Sequence, residues 1–307
     1  MTEQRPLLAG VELGGTKCVC LIGTGPGDIR AQLSIPTGDD AAATLARIKA
    51  TLDDWKHQHE RVRALGIASF GPIDLSRRSA TYGSISSTPK PGWAHTDVLG
   101  PLSRGGALPV GFDTDVNGAA LAERRWGAAQ GLDDLAYITV GTGIGAGLIV
   151  GGHTVFGCNH TELGHVRIAR APGDKWPGNC PFHGDCVEGL ASGPAIAART
   201  GMPATEVPPD HPAWDLVAHA LGQLLHTIVL GTAPKRILVG GGVATGQPAL
   251  LPRVRQKLRA SLNGYLEIDE LGPGIDRYIV APGLGPLAGP LGALALAADA
   301  YALSAGK

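Results

Sequence analysis

Two segments of the chain share one pattern, in which an apolar run, a glycine turn and a second apolar run follow one another. In the first segment, the turn GGTK at 14–17 joins residues 7–13 to residues 18–23. In the second, the turn GTG at 141–143 follows residues 135–140 and precedes another apolar run. Short apolar runs joined by glycine turns predict β-hairpins. One such hairpin in each half of the chain predicts two structurally similar halves.

Neither turn matches a common nucleotide-binding fingerprint. The Walker motif requires GxxxxGK[ST] at the start of a helix, and the GGTK turn meets neither condition. The GxGxG pattern at 141–145 is similar to the dinucleotide fingerprint, but a strand follows it instead of the required helix, which excludes a Rossmann site. The remaining interpretation is that backbone N–H groups of both turns face a phosphate, so that the two halves hold one nucleotide. For the first turn alone, an ordinary hairpin is an equally good interpretation.

Other segments predict the elements that surround these hairpins. A third glycine loop at 240–242 ends a predicted strand and precedes a predicted helix near 248–261, where free N–H groups can meet a nucleotide. Apolar spacing predicts a helix within 37–57, capped by Thr37 or Asp39. Two prolines stiffen the loop SSTPKPGW at 86–93, which is either a plain connection or one wall of a small-ligand site.

The segment 159–190 concentrates potential metal ligands. It contains Cys180-x-x-His183-x-x-Cys186 and, upstream of these, His165. Thiolate and neutral imidazole are the usual donors to tetrahedral Zn²⁺, and nearby prolines and glycines favour a loop that can wrap an ion. A solvent loop with free thiols, or a disulfide, is the alternative. We predict a structural zinc site from the ligand types and their spacing. The odd number of cysteines, five, and the lack of a secretory signal indicate a reducing compartment, which disfavours a disulfide.

Two acidic side chains accompany this predicted zinc loop. Glu162 precedes His165 by three residues, and Glu188 follows Cys186 by two. An ion that fixes the loop would therefore also fix both carboxylates, which indicates a binding site.

A second polar group stands where a predicted strand gives way to a predicted helix. Asp113, Asp115 and Asn117 follow the apolar residues 109–112 and precede the helical pattern GAALAERRWGAA. Helix capping accounts for one of the three side chains. The mouth of a sheet is nevertheless where open α/β folds bind their ligands, so this group is the best candidate for a general base.

Size and composition exclude several classes of protein. A chain of 307 residues suits two domains. The net charge of −1, from 26 Lys+Arg and 27 Asp+Glu, gives no bulk field for nucleic acid or an anionic membrane. The N-terminus lacks the pattern of a signal peptide, and the apolar residues 283–303 are interrupted early by proline and glycine. We predict a loop and a buried helix there, and a cytoplasmic protein.

The motifs taken together resemble those of the ROK family of sugar kinases. They are VELGGTK, FGPID, SSTPKPGW, FDTDVNGAALAE, YITVGTGIGAG, ELGH, CPFHGDCVEGLASGPAI, ILVGGGV and GPLGALALA, of which SSTPKPGW and CPFHGDCVEGLASGPAI favour the bacterial fructokinase branch. The resemblance implies an actin-like ATPase fold with a ribonuclease-H-like core: two α/β domains with the active site in the cleft between them. We expect a smaller N-terminal domain at 1–116, completed by a C-terminal helix at about 288–307, and a larger domain at 117–287 that carries the zinc loop.

The resemblance also assigns roles to individual residues. It implies that Asp115 is the base that deprotonates the sugar hydroxyl attacking the γ-phosphate of MgATP. The implied sugar contacts are Gly71, Asn117, Glu162, His165 and Glu188. The implied nucleotide contacts are Gly14, Gly15, Thr16, Lys17, Thr142, Gly143, Gly241 and Gly242. The implied zinc ligands are His165, Cys180, His183 and Cys186, so that His165 would serve both the ion and the sugar.

The expected reaction is ATP-dependent phosphorylation of a hexose, with D-fructose favoured and ATP, Mg²⁺ and Zn²⁺ as cofactors. A kinase for glucose, mannose or N-acetylmannosamine is the alternative within the class, since Thr114 stands where many relatives have a sugar-contacting Asn. A non-catalytic sugar sensor on the same fold is the alternative from another class, and the presence of Asp115 argues against it. ROK repressors carry an N-terminal winged helix-turn-helix, for which the hairpin starting by residue 8 leaves no room. We expect a homodimer that binds neither nucleic acid nor membrane.

Overall fold

A computed structural model describes residues 6–59, 62–104 and 108–306, and the chain forms two compact α/β units. The first unit runs to Gly131 and also includes Val155–His160 and the chain from Pro286 onwards. The second unit comprises Leu132–Thr154 and Thr161–Gly285.

A five-stranded mixed sheet forms the centre of the first unit. Its strands are β1 (Leu7–Leu13), β2 (Lys17–Gly25), β3 (Asp28–Pro36), β4 (Val62–Ser69) and β5 (Val110–Thr114), in the spatial order β3-β2-β1-β4-β5. The meander β1-β2-β3 is antiparallel, whereas β1, β4 and β5 are parallel. The helices of this unit are α1 (Ala41–Gln58), α2 (Leu99–Ser103), α3 (Asp115–Trp126) and the C-terminal helix (Ala288–Ala305), which a short 3₁₀ turn (Gly285–Leu287) precedes.

The second unit repeats this sheet strand for strand. Its strands are β6 (Leu135–Val140), β7 (Ile144–Val150), β8 (His153–Thr154), β9 (Arg236–Gly240) and β10 (Ile279–Val280), in the order β10-β9-β6-β7-β8. Here β6, β7 and β8 are antiparallel, and β6, β9 and β10 are parallel. Both predicted hairpins are present, and the common topology confirms the prediction of two similar α/β halves.

The remaining elements belong to the second unit. They are the 3₁₀ turns Leu163–His165 and Asp269–Leu271 and the helices α4 (Val187–Ala191), α5 (Gly193–Thr200), α6 (Ala213–Thr232), α7 (Gly242–Gly246), α8 (Leu250–Leu262) and α9 (Ile275–Tyr278). The helix predicted near 248–261 is α8, and the short α7 precedes it.

The C-terminal helix packs directly on the first sheet. A Cβ on Gly66 of β4 would lie 1.8 Å from the carbonyl oxygen of Ala293, so glycine alone permits this approach. The same helix contacts α3, where Arg125 forms an ion pair with Asp299. Because α3 is held in this way, it lies wholly in the first unit, which extends to Gly131, whereas the expected boundary at 116/117 would divide α3.

The N-terminus of α1 differs from the predicted one. The capping side chain is that of Asp40, which accepts a hydrogen bond from the Ala43 N–H at 2.9 Å. Thr37 is not the cap because its hydroxyl instead donates to the carbonyl of Gly14 at 2.6 Å. The prediction of Thr37 or Asp39 was therefore wrong.

Two apolar helical segments are long enough to cross a membrane by composition alone. They are Ala213–Thr232 and Gly285–Ala305. In the most apolar stretch of each segment, 61% and 50% of the residues, respectively, are buried within the fold. Core helices of globular proteins pass the same test of length and hydropathy. The turn-and-helix structure at 285–305 agrees with the predicted loop and buried helix.

Candidate active site

Three loops of the first unit begin at one edge of its sheet, where the strands before them end. In the strand register, Leu13 pairs with Ser69, and Ser69 pairs with Thr114. The GGTK turn, the FGPID loop and the start of α3 therefore leave the sheet side by side. Because β1, β4 and β5 are parallel, this edge is the carboxyl end of these strands, where open α/β sheets bind ligands.

The GGTK turn is shaped by its own backbone and by Thr37. The Gly14 N–H donates to the Lys17 carbonyl at 3.1 Å, which closes the hairpin. The Thr37 N–H donates to the Thr16 carbonyl at 3.0 Å, and the Thr37 hydroxyl holds the Gly14 carbonyl. Residues 15–17 at the tip remain exposed, so the turn is a preformed loop that a phosphate can reach.

Side chains at the start of α3 make different hydrogen bonds. Thr114 caps the helix by accepting from the Asn117 N–H at 3.2 Å. Asp113 accepts from the Thr114 N–H at 2.7 Å and from the Asn117 side-chain amide at 2.8 Å. Asp115 accepts from the adjacent Val116 N–H at 2.9 Å. The expectation that helix capping would account for one of Asp113, Asp115 and Asn117 was wrong, because Thr114 is the cap.

Asp115 and Glu12 form an unusual pair of carboxyl groups. Burial raises the pKa of Asp115 to about 7. Burial, and then the charge of Asp115, raise the pKa of Glu12 to about 7, while Lys17 opposes the rise. Glu12 near the end of β1 was not predicted, although one acidic residue in an otherwise apolar strand is a signal. A Cβ on Gly289 would lie 2.0 Å from Glu12 Oε1, so the C-terminal helix makes room for this carboxylate.

The second hairpin turn is held from both sides within its own unit. The Gly141 N–H donates to the Gly143 carbonyl at 2.9 Å, and the Gly193 N–H donates to the Gly141 carbonyl at 2.8 Å. The Ile144 N–H donates to Glu188 Oε2 at 2.9 Å. A Cβ on Gly143 would lie 2.7 Å from the same oxygen, so the glycine lets the carboxylate settle against the turn.

The third glycine loop lies beside this turn. Thr139 of β6 pairs with Gly240 of β9 in the parallel register, so β6 and β9 end at one edge of the second sheet. Gly241 has φ of 89°, and a Cβ there would lie 2.5 Å from the backbone nitrogen of Val140. The position therefore requires glycine, and α7 begins at the next residue, Gly242.

The four predicted zinc ligands are brought together in the second unit. The ligand atoms of His165, Cys180, His183 and Cys186 all lie within 4.8 Å of one another. Three sulfur-to-Nδ1 distances are 3.7 Å (Cys180–His165), 3.6 Å (Cys180–His183) and 3.5 Å (Cys186–His165). Tetrahedral Zn²⁺ with its usual bond lengths separates sulfur from nitrogen by about 3.6 Å. These three distances therefore fit a zinc ion held by the group.

The backbone around these ligands is ordered by its own hydrogen bonds. Cys180 and Gly184 exchange a pair at 3.1 and 2.9 Å. Cys186 caps α4 by accepting from the Gly189 N–H at 3.4 Å. Burial raises the pKa of the Cys186 thiol to about 11, so a metal that binds there must displace a proton.

The ELGH segment places its two functional side chains by close packing. A Cβ on Gly164 would lie 1.7 Å from the Ile144 carbonyl oxygen, so the 3₁₀ turn rests directly on β7. His165 then turns Nδ1 towards the cysteines, while its Nε2 lies 3.9 Å from Glu188 Oε1. Glu162 stands immediately before the turn. The structure thus brings His165 and Glu188 together beside the second glycine hairpin.

The remaining predicted sugar contacts lie in the first unit. Gly71 follows β4 at the same sheet edge as Asp115. The loop after Gly71 is held by a hydrogen bond of 3.0 Å from the Ile73 N–H to Nε2 of the buried His160. Asn117 is buried with its amide bound to Asp113.

Duplicated sheets with glycine hairpins, a half-buried carboxylate pair and a cysteine–histidine metal group define a two-unit phosphotransferase type of α/β protein. The profile of the ROK family matches residues 8–300, and the chain belongs to this family. It is 44% identical to a putative fructokinase of Bacillus subtilis over 96% of both chains, and 42% identical to the fructokinase of Pediococcus pentosaceus over 95% and 97% of the two chains.

Solved structures support the same fold. A ROK-family glucokinase from Streptomyces griseus in complex with glucose and AMPPNP superimposes with a TM-score of 0.76, at 27% identity over 95% of this chain and 99% of that one. A ROK hexokinase from Thermus thermophilus also gives a TM-score of 0.76, at 26% identity over 98% and 100%. The actin-like ATPase fold class expected from the sequence is confirmed.

Proposed function

We propose that the protein is an ATP-dependent fructokinase that phosphorylates D-fructose to fructose 6-phosphate. The observation that carries the proposal is similarity along the whole chain to fructokinases, at 44% and 42% identity for the two named above. A glucokinase of Halalkalibacterium halodurans is only 28% identical over 82% of the chain. Glucose, mannose or N-acetylmannosamine is therefore the less favoured substrate.

ATP is the proposed phosphate donor. The related Streptomyces griseus glucokinase binds AMPPNP, an ATP analogue. In this chain, Gly14, Gly15, Thr16 and Lys17 in one unit and Thr142 and Gly143 in the other form turns with accessible backbone groups. We assign both turns to the phosphates, and Gly241 and Gly242 to the adenosine side.

Asp115 is the proposed general base. Its carboxylate stands at the carboxyl edge of the parallel strands, and a pKa of about 7 suits it to accept a proton near neutral pH. Deprotonating the sugar hydroxyl makes its oxygen a better nucleophile for the γ-phosphate. In-line phosphoryl transfer otherwise asks the protein mainly for positioning and charge neutralisation.

Glu12 and Asp115 are the proposed residues that face Mg²⁺. Carboxylate oxygen is the ligand type that Mg²⁺ prefers. Burial and then the charge of Asp115 raise the pKa of Glu12, and a bound cation would offset both effects. When bound, Mg²⁺ neutralises charge on the phosphates.

Glu162, His165 and Glu188 are the proposed readers of the sugar hydroxyls, together with Asn117 and Gly71. Carboxylates and an imidazole supply acceptors and one donor, which match hydroxyl groups and do not attract a charged substrate. Thr114 lacks the side-chain amide of the Asn in aldohexose kinases, and its hydroxyl oxygen already accepts the capping hydrogen bond from the Asn117 N–H of α3. This difference supports fructose over glucose.

A structural Zn²⁺ on His165, Cys180, His183 and Cys186 is the proposed support of that sugar site. Its ligand set would be His₂Cys₂, and it supplies rigidity to the loop instead of taking part in phosphoryl transfer. We further propose a cytoplasmic homodimer that acts on small molecules and not on nucleic acid or membranes.

The proposal is tested by following fructose 6-phosphate directly. Purified protein is incubated with MgATP and fructose, and the product is converted by phosphoglucose isomerase and glucose 6-phosphate dehydrogenase with NADPH as readout. We expect NADPH formation that depends on both ATP and fructose. ADP release without NADPH would indicate phosphorylation at another hydroxyl, and no ADP release with any hexose would refute the kinase.

A further inference from the structure

A cluster of charged side chains lies beside the metal-ligand loop in the second unit. Its members come from the segment before the loop, from the loop itself and from α5. They are Arg167, Arg170, Asp174, Asp185 and Arg199, and we call them the arginine–aspartate cluster. None of them belongs to the group of metal ligands.

Asp174 is the centre of the cluster. Arg199 of α5 donates two hydrogen bonds of 3.0 Å to its carboxylate, one to each oxygen. Arg170 donates a third, also of 3.0 Å. The side chain of Asp174 is only 10% exposed, and these hydrogen bonds, from Arg199 foremost, hold the pKa of its carboxyl well below the usual range. The Arg199 guanidinium also lies 4.5 Å from the ring centroid of Trp176. Such bidentate, partly buried pairs are far better defined than surface ion pairs.

Arg170 connects this centre to the loop. Its Nη1 donates to Asp185 Oδ2 at 2.9 Å, while its Nη2 donates to Asp174 and to the Trp176 carbonyl at 2.7 Å. Arg167 contributes a more exposed contact to the other oxygen of Asp185 at 2.8 Å. A planar guanidinium suits this bridge better than an ammonium group, because its donors point in fixed and different directions.

Asp185 stands next to the start of the helix that carries Glu188. It directly precedes Cys186, which caps α4, and Glu188 lies in the first turn of that helix. Glu188 in turn accepts from the Ile144 N–H beside the second glycine hairpin. A side chain that fixes Asp185 should therefore also restrain the start of α4 and the direction of Glu188, and Arg170 is not one of the metal-ligand group.

We propose that Arg170 is a positioning residue for the sugar site, which ties Asp185 to Asp174 and so holds the Cys186–Glu188 turn as a second anchor beside the ion. The part of this inference that concerns sugar affinity rests on the proposed function. The part that concerns the loop stands on the contacts alone, and the two parts are measured separately.

Amide hydrogen exchange tests the loop. Arg170→Met should accelerate exchange of peptides covering 179–190 by ~10-fold or more, since the Cys180, Gly184 and Val187 amides there are held by backbone hydrogen bonds. The matched control is Lys257→Met, which removes a 2.8 Å ion pair with Asp215 between α6 and α8 of the same unit. Exchange at 179–190 no faster than in this control would overturn the proposal.

Kinetics test the sugar site on the same variants. Arg170→Met should raise the fructose KM by ~10-fold with little change in the ATP KM, while Lys257→Met should change neither. Arg199→Met should have a smaller effect, since Arg199 does not contact Asp185, and Arg170→Lys should rescue only in part because it loses the fork. Asp185→Asn, at the more exposed end, serves if Arg170→Met does not fold.

The outcomes separate the two proposals. If the wild-type protein phosphorylates no sugar, the proposed function fails, and hydrogen exchange still decides the role of Arg170. If the fructose and ATP KM values rise together, or if Arg199→Met has the larger effect, Arg170 does not position the sugar site.

Discussion

The imidazole of His165 joins the metal-ligand group to Glu188: its Nδ1 lies 3.5 Å from Cys186 Sγ, and its Nε2 lies 3.9 Å from Glu188 Oε1. A ring with its Nδ1 on a cation must carry its remaining proton on Nε2, on the side of Glu188. Metal binding would thereby set the tautomer of a residue that we assign to the sugar site.

The first prediction concerns the metal. Purified protein should contain about one Zn²⁺ per chain, and Cys180→Ser or Cys186→Ser should release it. Metal loss should raise the fructose KM more than the ATP KM. The reason is that His165, a proposed sugar contact, belongs to the metal-ligand group, and Glu188 lies beside it. Cys158→Ser is the control, since Cys158 is exposed and outside the ligand group. Elemental analysis that finds no zinc in protein never exposed to a chelator would contradict the prediction.

The second prediction concerns the base. Asp115→Asn should lower kcat by ~10²–10⁴ while fructose binding, measured by calorimetry, is kept. The comparison variant is Asp113→Asn, whose carboxylate holds the Thr114 N–H and the Asn117 amide. Asp113→Asn should lower Tm, because these hydrogen bonds are weakened, and should lower kcat less than Asp115→Asn does. A larger loss of kcat at Asp113 than at Asp115 would mean that the wrong carboxylate has been assigned.

The third prediction follows from the raised pKa of Asp115. Its pKa is about 7 in the folded chain against 3.8 for the free side chain. Between these values the folded state binds the extra proton, so this group lowers the free energy of unfolding as pH rises from about 4 to 7. Asp115→Asn should therefore raise Tm at pH 8 and have little effect near pH 4. A lower Tm at pH 8 would show that the carboxylate is not desolvated in this way.

The fourth prediction tests the packing beneath the ELGH turn. Gly164→Ala would place a Cβ 1.7 Å from the Ile144 carbonyl oxygen, so the turn must lift from β7. We expect a cost of about 1–3 kcal/mol in unfolding free energy and a raised fructose KM. Gly157→Ala is the matched control, because nothing lies within 4 Å of its added Cβ. Equal Tm and KM values for the two variants would refute the packing argument.

Local patterns made the hairpins and the metal group predictable. Alternation of apolar runs with glycine turns identifies the hairpins β1–β2 and β6–β7. The spacing of Cys180, His183 and Cys186 identifies the metal-ligand loop. Both signals can be recognised in the sequence because each spans few residues. The cap of α1 was missed because Thr37, Asp39 and Asp40 are equally good caps locally. Only the fold reveals that the Thr37 hydroxyl is taken by Gly14.

Features that depend on tertiary structure could not be predicted in the same way. Glu12 meets the field of Asp115 only because β1 and β5 end at one sheet edge, with β4 between them. The arginine–aspartate cluster joins residues as far apart as Asp174 and Arg199, for which no sequence spacing gives a signal.

The most direct test of the whole account is a comparison of kcat/KM for fructose, glucose, mannose and N-acetylmannosamine on one preparation with saturating MgATP. A site that hydrogen-bonds hydroxyls through Glu162, His165 and Glu188 should discriminate strongly, because a missing hydroxyl leaves half-buried hydrogen-bonding groups unpaired. We predict that fructose is the best substrate by about 10²-fold, with mannose second and N-acetylmannosamine poor. Glucose or N-acetylmannosamine ahead of fructose by about tenfold or more would contradict the fructokinase assignment, and no turnover of any hexose would contradict the kinase itself.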